Sequence, residues 1–258
     1  MDFAVEVKQL RSSGLDLDYY LVPWDSEILA SPVAEISHIE LKDAEQAGTS
    51  LAEFEDWCVA NDIRLCHCRI LHHQTRESLL LQERGFRFIE LNYRPELRNL
   101  QSKSFATDSI EIAEANPADH DLLVEMAQQV FQHGRFHQDP RLGSDLGNRR
   151  YGVWMHNSFS HPGQFIYKCM LNGEIVAFFV VEYPAEGLSH WALIGLAPGC
   201  SGQGLGTRAW QSMMRFQKHN GIQVITTSIS SHNTAVLNLY VKLGFRFPEP
   251  MTSYHWRR

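Results

Sequence analysis

Two stretches of the chain carry the same pattern of residues, and this internal repeat constrains the fold more than any other feature of the sequence. Ile63–Phe88 and Ile222–Phe247 align without gaps, 159 positions apart, and nine of their 26 positions are identical. Each stretch reads as strand, loop, helix, Gly turn and strand, with the Gly just past the helix end, where a left-handed residue is favoured. The repeat predicts that the N-terminal half is a partial, altered copy of the C-terminal fold. Chance similarity between two βαβ-like pieces is the alternative.

The length of the chain leaves room for two such copies. It has 258 residues, and domains usually run to about 100–200 residues. Residues 98–108 are polar and lack periodicity, which is typical of a linker. We therefore expect one domain at residues 1–100 and a second domain, which carries the chemistry, at residues 108–258.

Composition and charge exclude several classes of protein. The net charge is −7 and hydrophobic residues make up 44% of the chain, whereas a nucleic-acid-binding protein needs a basic surface. Five cysteines, an odd number, imply no disulfide framework and fit a reducing cytosol. Residues 1–6 lack the features of a signal peptide, and the longest apolar run, Ile175–Val181, is too short to cross a bilayer. We expect a cytoplasmic protein with neither nucleic acid nor a membrane as its partner.

The run Cys66-His67-Cys68 contains residue types that bind metals. Alternate residues of a strand point to opposite faces, however, and no second Cys pair completes a zinc-binding set. We interpret the run as a buried strand and predict no metal site.

The C-terminal half is predicted to follow the order β, α, α, β, β, β, α, β, α, β. A polar loop, His133–Leu142, separates its first two helices, and Asn172-Gly173 joins two strands as a tight hairpin. The predicted elements are a strand at Ser109–Ala113, a helix opening at Asn116-Pro117, a helix around Tyr151–Ser158, strands at Gln164–Leu171, Glu174–Tyr183 and Ser189–Ala197, a helix from about Gly204 to Lys218, a strand at Val224–Ser228, a helix at Thr234–Lys242 and a last strand at Thr252–Trp256.

A Gly-rich turn, Leu196–Thr207, links a predicted strand to a predicted helix. Gly202, Gly204 and Gly206 allow a sharp turn and close approach of a ligand to the backbone, and the helix that follows offers free N–H groups and the positive end of its dipole. Such a turn suits a pyrophosphate. A dinucleotide-binding turn would need an acid at the end of the next strand, and a Walker loop would need Gly-Lys-Ser/Thr. The sequence has neither, and a Gly-rich loop with a purely structural role remains an alternative interpretation.

The residues around this turn resemble the signature of the GNAT acetyltransferases. The matching motifs are Ser201-Gly-Gln-Gly-Leu-Gly206, Asn233-x-Ala235, Leu239-Tyr240 and Leu243-Gly-Phe245, with Ser201 where the family usually has Arg or Gln. The resemblance covers about residues 108–258. It implies an α/β (α+β) fold, a mixed central sheet flanked by helices, preceded here by a smaller truncated GNAT-like domain.

A closer likeness connects the chain to bacterial TDP-fucosamine acetyltransferases. It rests on Gly134-Arg-Phe-His-Gln-Asp-Pro-Arg141 and on Tyr151-x-x-Trp154-x-x-Asn157-Ser158. This likeness implies an amine on a nucleotide-linked amino sugar as the acceptor, a role in surface-polysaccharide biosynthesis, and a homodimer.

The GNAT resemblance assigns acetyl-CoA as co-substrate. Backbone groups near Leu196 would hold its pantetheine arm and acetyl carbonyl, N–H groups of the Gly-rich turn would hold its pyrophosphate, and Asn233 would contact the arm. The full set of residues that the resemblance implies for this site is Leu196, Ser201, Gly202, Gln203, Gly204, Leu205, Gly206, Thr207, Asn233 and Tyr240.

Tyr240 is the candidate general acid, because a phenol stays protonated at neutral pH and can give its proton to the departing sulfur. Glu182 is the candidate base, with His190 as the second candidate; an acceptor that is already neutral would need neither. The repeat places Leu81 and Gln74 in the columns of Tyr240 and Asn233, so the N-terminal copy lacks these features.

Arg135, His137 and Asp139 are the candidate acceptor-binding residues, since the GNAT resemblance assigns the loop after the first helix to the acceptor site. Arg135 could pair with a substrate phosphate. Two alternatives remain: acetylation of another small amine, such as an aminoglycoside or a polyamine, and a non-catalytic acyl-CoA-binding module.

Overall fold

The structure is a computed structural model, and it describes residues 5–258. Residues 1–4, on which the expectation of no signal peptide partly rests, lie outside the described residues. Within the described range, no helix is both long and apolar enough to cross a membrane.

The helices and strands are numbered separately in chain order. They are β1 (Lys8–Arg11), β2 (Leu15–Leu21), α1 (Pro23–Leu29), β3 (Val33–Leu41), α2 (Ala44–Ala60), β4 (Leu65–Leu71), α3 (Thr75–Glu83), β5 (Arg87–Tyr93), β6 (Glu96–Leu97), β7 (Glu111–Glu114), α4 (His120–Val130), α5 (Arg135–Gln138), α6 (Ser144–Ser158), β8 (Gln164–Leu171), β9 (Glu174–Ala185), β10 (Leu188–Leu196), α7 (Leu205–His219), β11 (Val224–Thr227), β12 (Ile229–Ser230), α8 (Thr234–Leu243) and β13 (Met251–Arg257). Short 3-10 helices span Leu100–Ser102 and Pro117–Asp119.

The chain folds into two compact units. One, called here the N-terminal unit, contains, among the described residues, residues 5–92 together with Arg135–Leu146 and Glu249–Arg258. The other, the C-terminal unit, contains Tyr93–Gly134 and Gly147–Pro248. The sequence had suggested a simpler division, in which everything after residue 108 belongs to one domain.

The N-terminal unit is built on a sheet in which the strands run in the order β1-β2-β3-β4-β13-β5. β3 and β4 are parallel, whereas β13 is antiparallel to both β4 and β5. β13 comes from the end of the chain and fills a central position, with Thr252–His255 buried. The second inserted segment is held by Phe136 and Leu142, which pack into one buried cluster with Val22, Val33 and Leu65. Burial of this apolar surface accounts for the departure from the simple division.

The C-terminal unit is a sheet in the order β6-β11-β10-β9-β8-β7, and among its described strands only β10 and β11 are parallel. Successive residues of β9 face opposite sides of this sheet. Phe178 and Val180 pack in the cluster of α4 and α6, whereas Phe179 and Val181 pack in the cluster of α7 and α8. The predicted mixed sheet flanked by helices is therefore confirmed.

Most predicted elements of the C-terminal half appear with ends shifted by a few residues. The predicted polar loop His133–Leu142 contains the short helix α5, and the following helix begins earlier than expected, at Ser144. The repeat is visible as well, because α3 and α8 both begin at aligned threonines, Thr75 and Thr234. The last predicted strand is present as β13, but it joins the sheet of the N-terminal unit.

The Asn172-Gly173 hairpin allows a test of local backbone geometry. Gly173 has a φ of +86°, and a Cβ at this position would meet no atom within 4 Å, so a side chain there would add backbone strain without a clash. We expect Gly173→Ala to lower the free energy of unfolding by about 1 kcal/mol, measured by urea denaturation. Gly143→Ala is the matched control, since Gly143 has equal space and lacks a positive φ. Equal losses in the two variants would contradict the argument.

Candidate functional site

The site begins where two parallel strands of the C-terminal unit come apart. β10 and β11 pair from Leu188↔Val224 to Trp191↔Thr227, where β11 ends. β10 continues to Leu196 and stays paired with β9 on its other side, after an irregularity between Trp191 and Leu193. The last residues of β10 thus present backbone groups on the side that β11 has left.

The Gly-rich turn follows directly from this free stretch of strand. Residues 197–204 connect β10 to α7, and Gly199, Gly202 and Gly204 all have positive φ values. Gly204 is the N-cap of α7, at φ 75°, and no side chain caps the helix. Because no turn precedes them, the first amide groups of a helix lack carbonyl partners within it. This helix entrance therefore offers several N–H donors at one place.

The surface of the turn is open around its glycines. A Cβ placed on Gly202 or Gly204 would meet no atom within 4 Å, whereas one on Gly206 would lie 3.9 Å from Leu239 of α8. Ser201 and Gln203 are exposed, and the Gln203 amide donates to the Gly199 carbonyl at 3.0 Å. The space beside the helix entrance is large enough for an anionic group to reach the backbone, and this geometry fits a pyrophosphate.

Asn233 is the N-cap of α8, and Tyr240 lies within this helix, three residues before its last residue, Leu243. The Asn233 side chain caps the helix by accepting from the Val236 N–H at 3.2 Å. Tyr240 is only 2% exposed, and its ring packs 4.7 Å from that of Phe245. Burial raises the pKa of Tyr240 to about 12, although the neighbouring Trp210 and Thr227 side chains lower it in part. The phenol is therefore fully protonated at neutral pH.

Thr227 connects Tyr240 with the point where the strands separate. The Thr227 hydroxyl donates to the Trp191 carbonyl at 2.8 Å, and this pair of residues is the last that β10 and β11 share. Sequence reasoning missed both Thr227 and Trp210. A buried Trp on the helix after a Gly-rich turn and a Thr at the end of the next strand are weak signals, since both residue types also occur in ordinary cores.

Glu182 and His190 are direct cross-strand neighbours on β9 and β10. The Glu182 carboxylate accepts from the Gln164 amide at 2.7 Å, and the His190 Nδ1 lies 3.0 Å from the Thr226 hydroxyl oxygen. Burial lowers the pKa of His190, and the Glu182 charge opposes this shift. By the alternation of β9, Glu182 shares its face with Val180 rather than with Val181. The two candidate bases are thus together, on the face opposite to Tyr240.

The predicted acceptor-binding residues Arg135, His137 and Asp139 lie in the N-terminal unit and not in the unit that carries the Gly-rich turn. Arg135 donates to the Asp25 carboxylate at 3.2 Å, and Asp25 is completely buried. Because a buried carboxylate needs a cation or donors beside it, Arg135 has a structural role here. Its predicted pairing with a substrate phosphate stays a prediction, as do the roles of His137 and Asp139.

Asp139 is completely buried in the N-terminal unit, at the centre of a small polar cluster. It accepts from Arg141 at 2.8 Å and lies 2.9 Å from Nδ1 of His255 on β13. Burial raises the pKa of Asp139, but the hydrogen bonds with His255 and Arg141 outweigh this effect and hold the pKa below its usual range. Sequence reasoning missed His255, because nothing local to a C-terminal strand indicates the sheet that it joins.

The Cys66-His67-Cys68 run lies within β4. Cys66 and Cys68 are buried in the hydrophobic cluster of the N-terminal unit, and burial raises the pKa of both thiols. His67 faces the other side, 3.5 Å from the Asp25 carboxylate. Within residues 5–258, no group of three or more His, Cys, Asp or Glu side chains has a geometry that could hold a metal ion.

Residues 124–245 match the sequence model of the Acetyltransferase (GNAT) family. Among curated proteins, the spore coat polysaccharide biosynthesis protein SpsD of Bacillus subtilis is 23% identical over 150 residues, which are 56% of this chain and 50% of SpsD. The mycothiol acetyltransferase of Streptomyces avermitilis is 27% identical over 124 residues, which are 46% of this chain and 38% of that protein. The matches thus span half the length of these curated relatives, or less.

The similarity to solved structures extends over the whole chain. A tandem GNAT protein from the clavulanic acid biosynthesis pathway superimposes with a TM-score of 0.66 at 9% sequence identity. The match covers 100% of this chain and 84% of the other. This likeness shows a shared fold, and its tandem arrangement agrees with the two units described above.

The buried His255 generates a prediction on pH dependence. Burial first, and then the charges of Arg135 and His67, lower its pKa to about 4, although the Asp139 hydrogen bond opposes the shift. The unfolded chain, with a His pKa near 6.5, therefore takes up a proton that the folded chain refuses. Stability should be complete above about pH 6.5 and fall as the pH drops towards 4, by on the order of 3 kcal/mol for this residue.

His255→Asn tests this prediction, because an Asn amide can still donate to Asp139 but cannot take up a proton. We expect a flatter dependence of unfolding free energy on pH in urea denaturation at pH 7, 5.5 and 4.5. A residual slope should remain, since the pKa of buried His67 is lowered as well. His38→Asn, at an exposed position of β3, is the control. An unchanged slope in His255→Asn would contradict the prediction.

Proposed function

We propose that this chain transfers an acetyl group from acetyl-CoA to the primary amine of a nucleotide-linked amino sugar. The match of residues 124–245 to the sequence model of the GNAT acetyltransferase family supports the proposal. The observation that carries the proposal is the separation of β10 from β11 directly before an open, Gly-rich helix entrance. A free strand edge and a set of free amides then lie in sequence along one path, as an elongated donor with a pyrophosphate requires.

GNAT proteins use acetyl-CoA as co-substrate. In the proposal, the N–H groups from Gly202 to Thr207 bind the pyrophosphate, and the free backbone groups at Leu196 bind the amide-containing arm. The open space at Gly202 and Gly204 fits such a group, because any side chain there would occupy the approach to the backbone. Asn233 would act indirectly, since its side chain already fixes the start of α8.

The bound thioester supplies an activated acetyl group; the amine forms the new C–N bond as the C–S bond breaks. Tyr240 would give its proton to the leaving sulfur. Its raised pKa supports this role, since the phenol is protonated at neutral pH, and its position beside Thr227 brings it to the start of the strand separation.

The proton released by the acceptor amine needs a path to solvent or a base. Glu182 and His190 are the proposed acceptors of this proton because they are adjacent across β9 and β10. The lowered pKa of His190 keeps its imidazole neutral at pH 7 and therefore able to accept a proton. Their place on the face opposite to Tyr240 would separate the group that receives a proton from the group that gives one.

The choice of acceptor rests on two supports. One relative, SpsD, is named for spore coat polysaccharide biosynthesis. The other is the likeness of the segments around Arg135 and Trp154 to TDP-fucosamine acetyltransferases. Other small amines form the second candidate class, since another relative is named a mycothiol acetyltransferase.

Tyr240→Phe tests the proposed acid. We expect turnover of the best amine acceptor to fall by about 10²-fold or more, while the Kd for acetyl-CoA stays within about twofold, because only the proton donor is lost. Tyr254→Phe is the control: Tyr254 is also buried and also loses a hydroxyl contact, with Ser78, but it lies in the N-terminal unit. Unchanged turnover in Tyr240→Phe would remove this residue from the mechanism.

A panel of acceptors tests the substrate class. Thiol release from acetyl-CoA should be fastest with a TDP-linked 4-amino-4,6-dideoxyhexose, and at least tenfold slower with the same sugar lacking the nucleotide, with an aminoglycoside and with a polyamine. Faster thiol release with the aminoglycoside or the polyamine would make that amine the acceptor class and leave the proposed acetyl transfer unchanged. Binding of acetyl-CoA without turnover of any amine would favour a non-catalytic acyl-CoA-binding module.

A further inference from the structure

The N-terminal unit repeats the strand separation that defines the candidate site. Its only parallel pair among the described strands joins Val33–Ile36 of β3 to Leu65–Cys68 of β4. The C-terminal unit pairs Leu188–Trp191 with Val224–Thr227 in the same way. β4 and β11 are aligned by the sequence repeat itself, so the two separations stand at equivalent positions.

An irregularity in the neighbouring strand pair confirms the correspondence. In the N-terminal unit, Ser37 is the extra residue of β3 opposite β2, directly after the last parallel pair. In the C-terminal unit, Ala192 is the extra residue of β10 opposite β9, again directly after the last parallel pair. Both strands are nine residues long. Ile39 and Leu41 of β3 therefore correspond to Ile194 and Leu196 of β10.

The free edge of β10 has no side chain bound to it. The Ala197 N–H donates to the Val176 carbonyl, towards β9, and successive amides of a strand point to opposite sides. The Leu196 N–H consequently points away from β9, towards the gap left by β11. Across residues 5–258, no side-chain hydrogen bond reaches the backbone of Ile194 or Leu196.

The same edge of β3 is fully engaged by two side chains of α3 and its N-cap. The Gln74 side chain spans the gap between the strands: its Oε1 accepts from the Leu71 N–H at 2.9 Å, and its Nε2 donates to the Ile39 carbonyl at 3.2 Å. The Glu77 carboxylate accepts from the Leu41 N–H at 3.0 Å. Towards β3, Gln74 thus supplies a donor and Glu77 an acceptor, where a bound amide chain would otherwise supply them.

The C-terminal unit has different residues at these two positions of the repeat. Asn233 replaces Gln74, and its shorter side chain turns back to cap α8. Val236 replaces Glu77 and is apolar, packed against the core of its unit. Neither side chain binds the separated strand edge as Gln74 and Glu77 do.

The helix entrance of the N-terminal unit is closed as well. Only Lys42 and Asp43 separate β3 from α2, and both of their N–H groups donate to the Gly14 carbonyl, at 2.9 and 3.0 Å. Gly14 is pressed against the helix so closely that a Cβ would lie 2.5 Å from the backbone of Gln46. The Asp43 side chain caps α2 by accepting from the Glu45 N–H at 2.9 Å. No open Gly-rich turn precedes this helix.

We propose that the N-terminal unit is a second acyl-donor cleft that the chain has filled with its own groups: Gln74 and Glu77 at the strand edge and the turn at Gly14 at the helix entrance. The chain would then bind one coenzyme A thioester, in the C-terminal unit, and the N-terminal unit would keep its shape without a ligand. The prediction that the chain binds one coenzyme A thioester rests on the proposed function. The prediction that the N-terminal cleft is filled rests on the hydrogen bonds just described.

The first experiment counts binding sites by equilibrium dialysis with radiolabelled acetyl-CoA. Wild type should bind one equivalent and Gly204→Val none, because a branched side chain would occupy the approach to the amides of α7. Gly187→Val, with a similar positive φ at the hairpin that joins β9 to the opposite end of β10, should still bind one. A second equivalent in wild type, or one equivalent retained by Gly204→Val, would overturn the proposal and leave acetyl-CoA binding established.

The second experiment follows amide hydrogen exchange at Leu41 and Leu196 with residue resolution. Without ligand, Leu41 should be protected; in Gln74→Asn/Glu77→Val, which copies the C-terminal residues, its exchange should be about tenfold faster. Glu83→Val, exposed at the end of α3, is the control and should change nothing. Acetyl-CoA should protect Leu196 in wild type and leave Leu41 unaffected.

These outcomes distinguish failure of the filled-cleft proposal from failure of the proposed function. Protection of Leu41 by acetyl-CoA, or unchanged exchange in the double variant, would overturn the filled cleft. If acetyl-CoA binds nowhere and Leu196 stays unprotected, the proposed function fails, while the ligand-free exchange of Leu41 still decides whether Gln74 and Glu77 fill the N-terminal cleft.

Discussion

Parallel strands that separate within a sheet leave backbone N–H and C=O groups without strand partners, and those groups must find others. In the part of the chain that the structure describes, this requirement arises after Ile36 and Cys68 and again after Trp191 and Thr227. Side chains, water or a ligand can satisfy it. The two units differ in which of these partners satisfies the separated backbone groups.

In the N-terminal unit, groups of the chain itself satisfy the separated backbone groups. The Gly14 carbonyl accepts from the two-residue connection, and the side chains of Gln74 and Glu77 bond the Ile39 carbonyl and the Leu41 N–H at the separation. In the C-terminal unit the connection is longer, its glycines have positive φ values, and the first turn of α7 has no side-chain cap. Such a site is solvated until an amide-containing anion replaces the water, and this difference supports the proposed location of the donor.

Much of the C-terminal unit could be predicted from sequence because its information is local. Alternation predicted β7, helical spacing predicted α4, and the pattern of Gly202, Gly204 and Gly206 predicted the turn and the start of α7. The mixed sheet is confirmed, and residues 124–245 match the GNAT family model, for the same reason: the motif residues follow one another along the chain in fixed order. The functional roles of Tyr240 and Glu182 stay predictions.

The pairing of distant segments carried no such local signal. Nothing in Met251–Arg257 indicates insertion between β4 and β5, and the polar residues of Arg135–Leu146 resemble an exposed loop until Asp25 and His255 are known to be buried beside them. A buried carboxylate such as Asp25 or Asp139 is stable only with its partner present. The GNAT resemblance assigns the loop of Arg135 and Asp139 to the acceptor site, and the polar side chains that would bind an acceptor are equally what allows this segment to enter the N-terminal unit. Only the identity of the partner distinguishes the two roles.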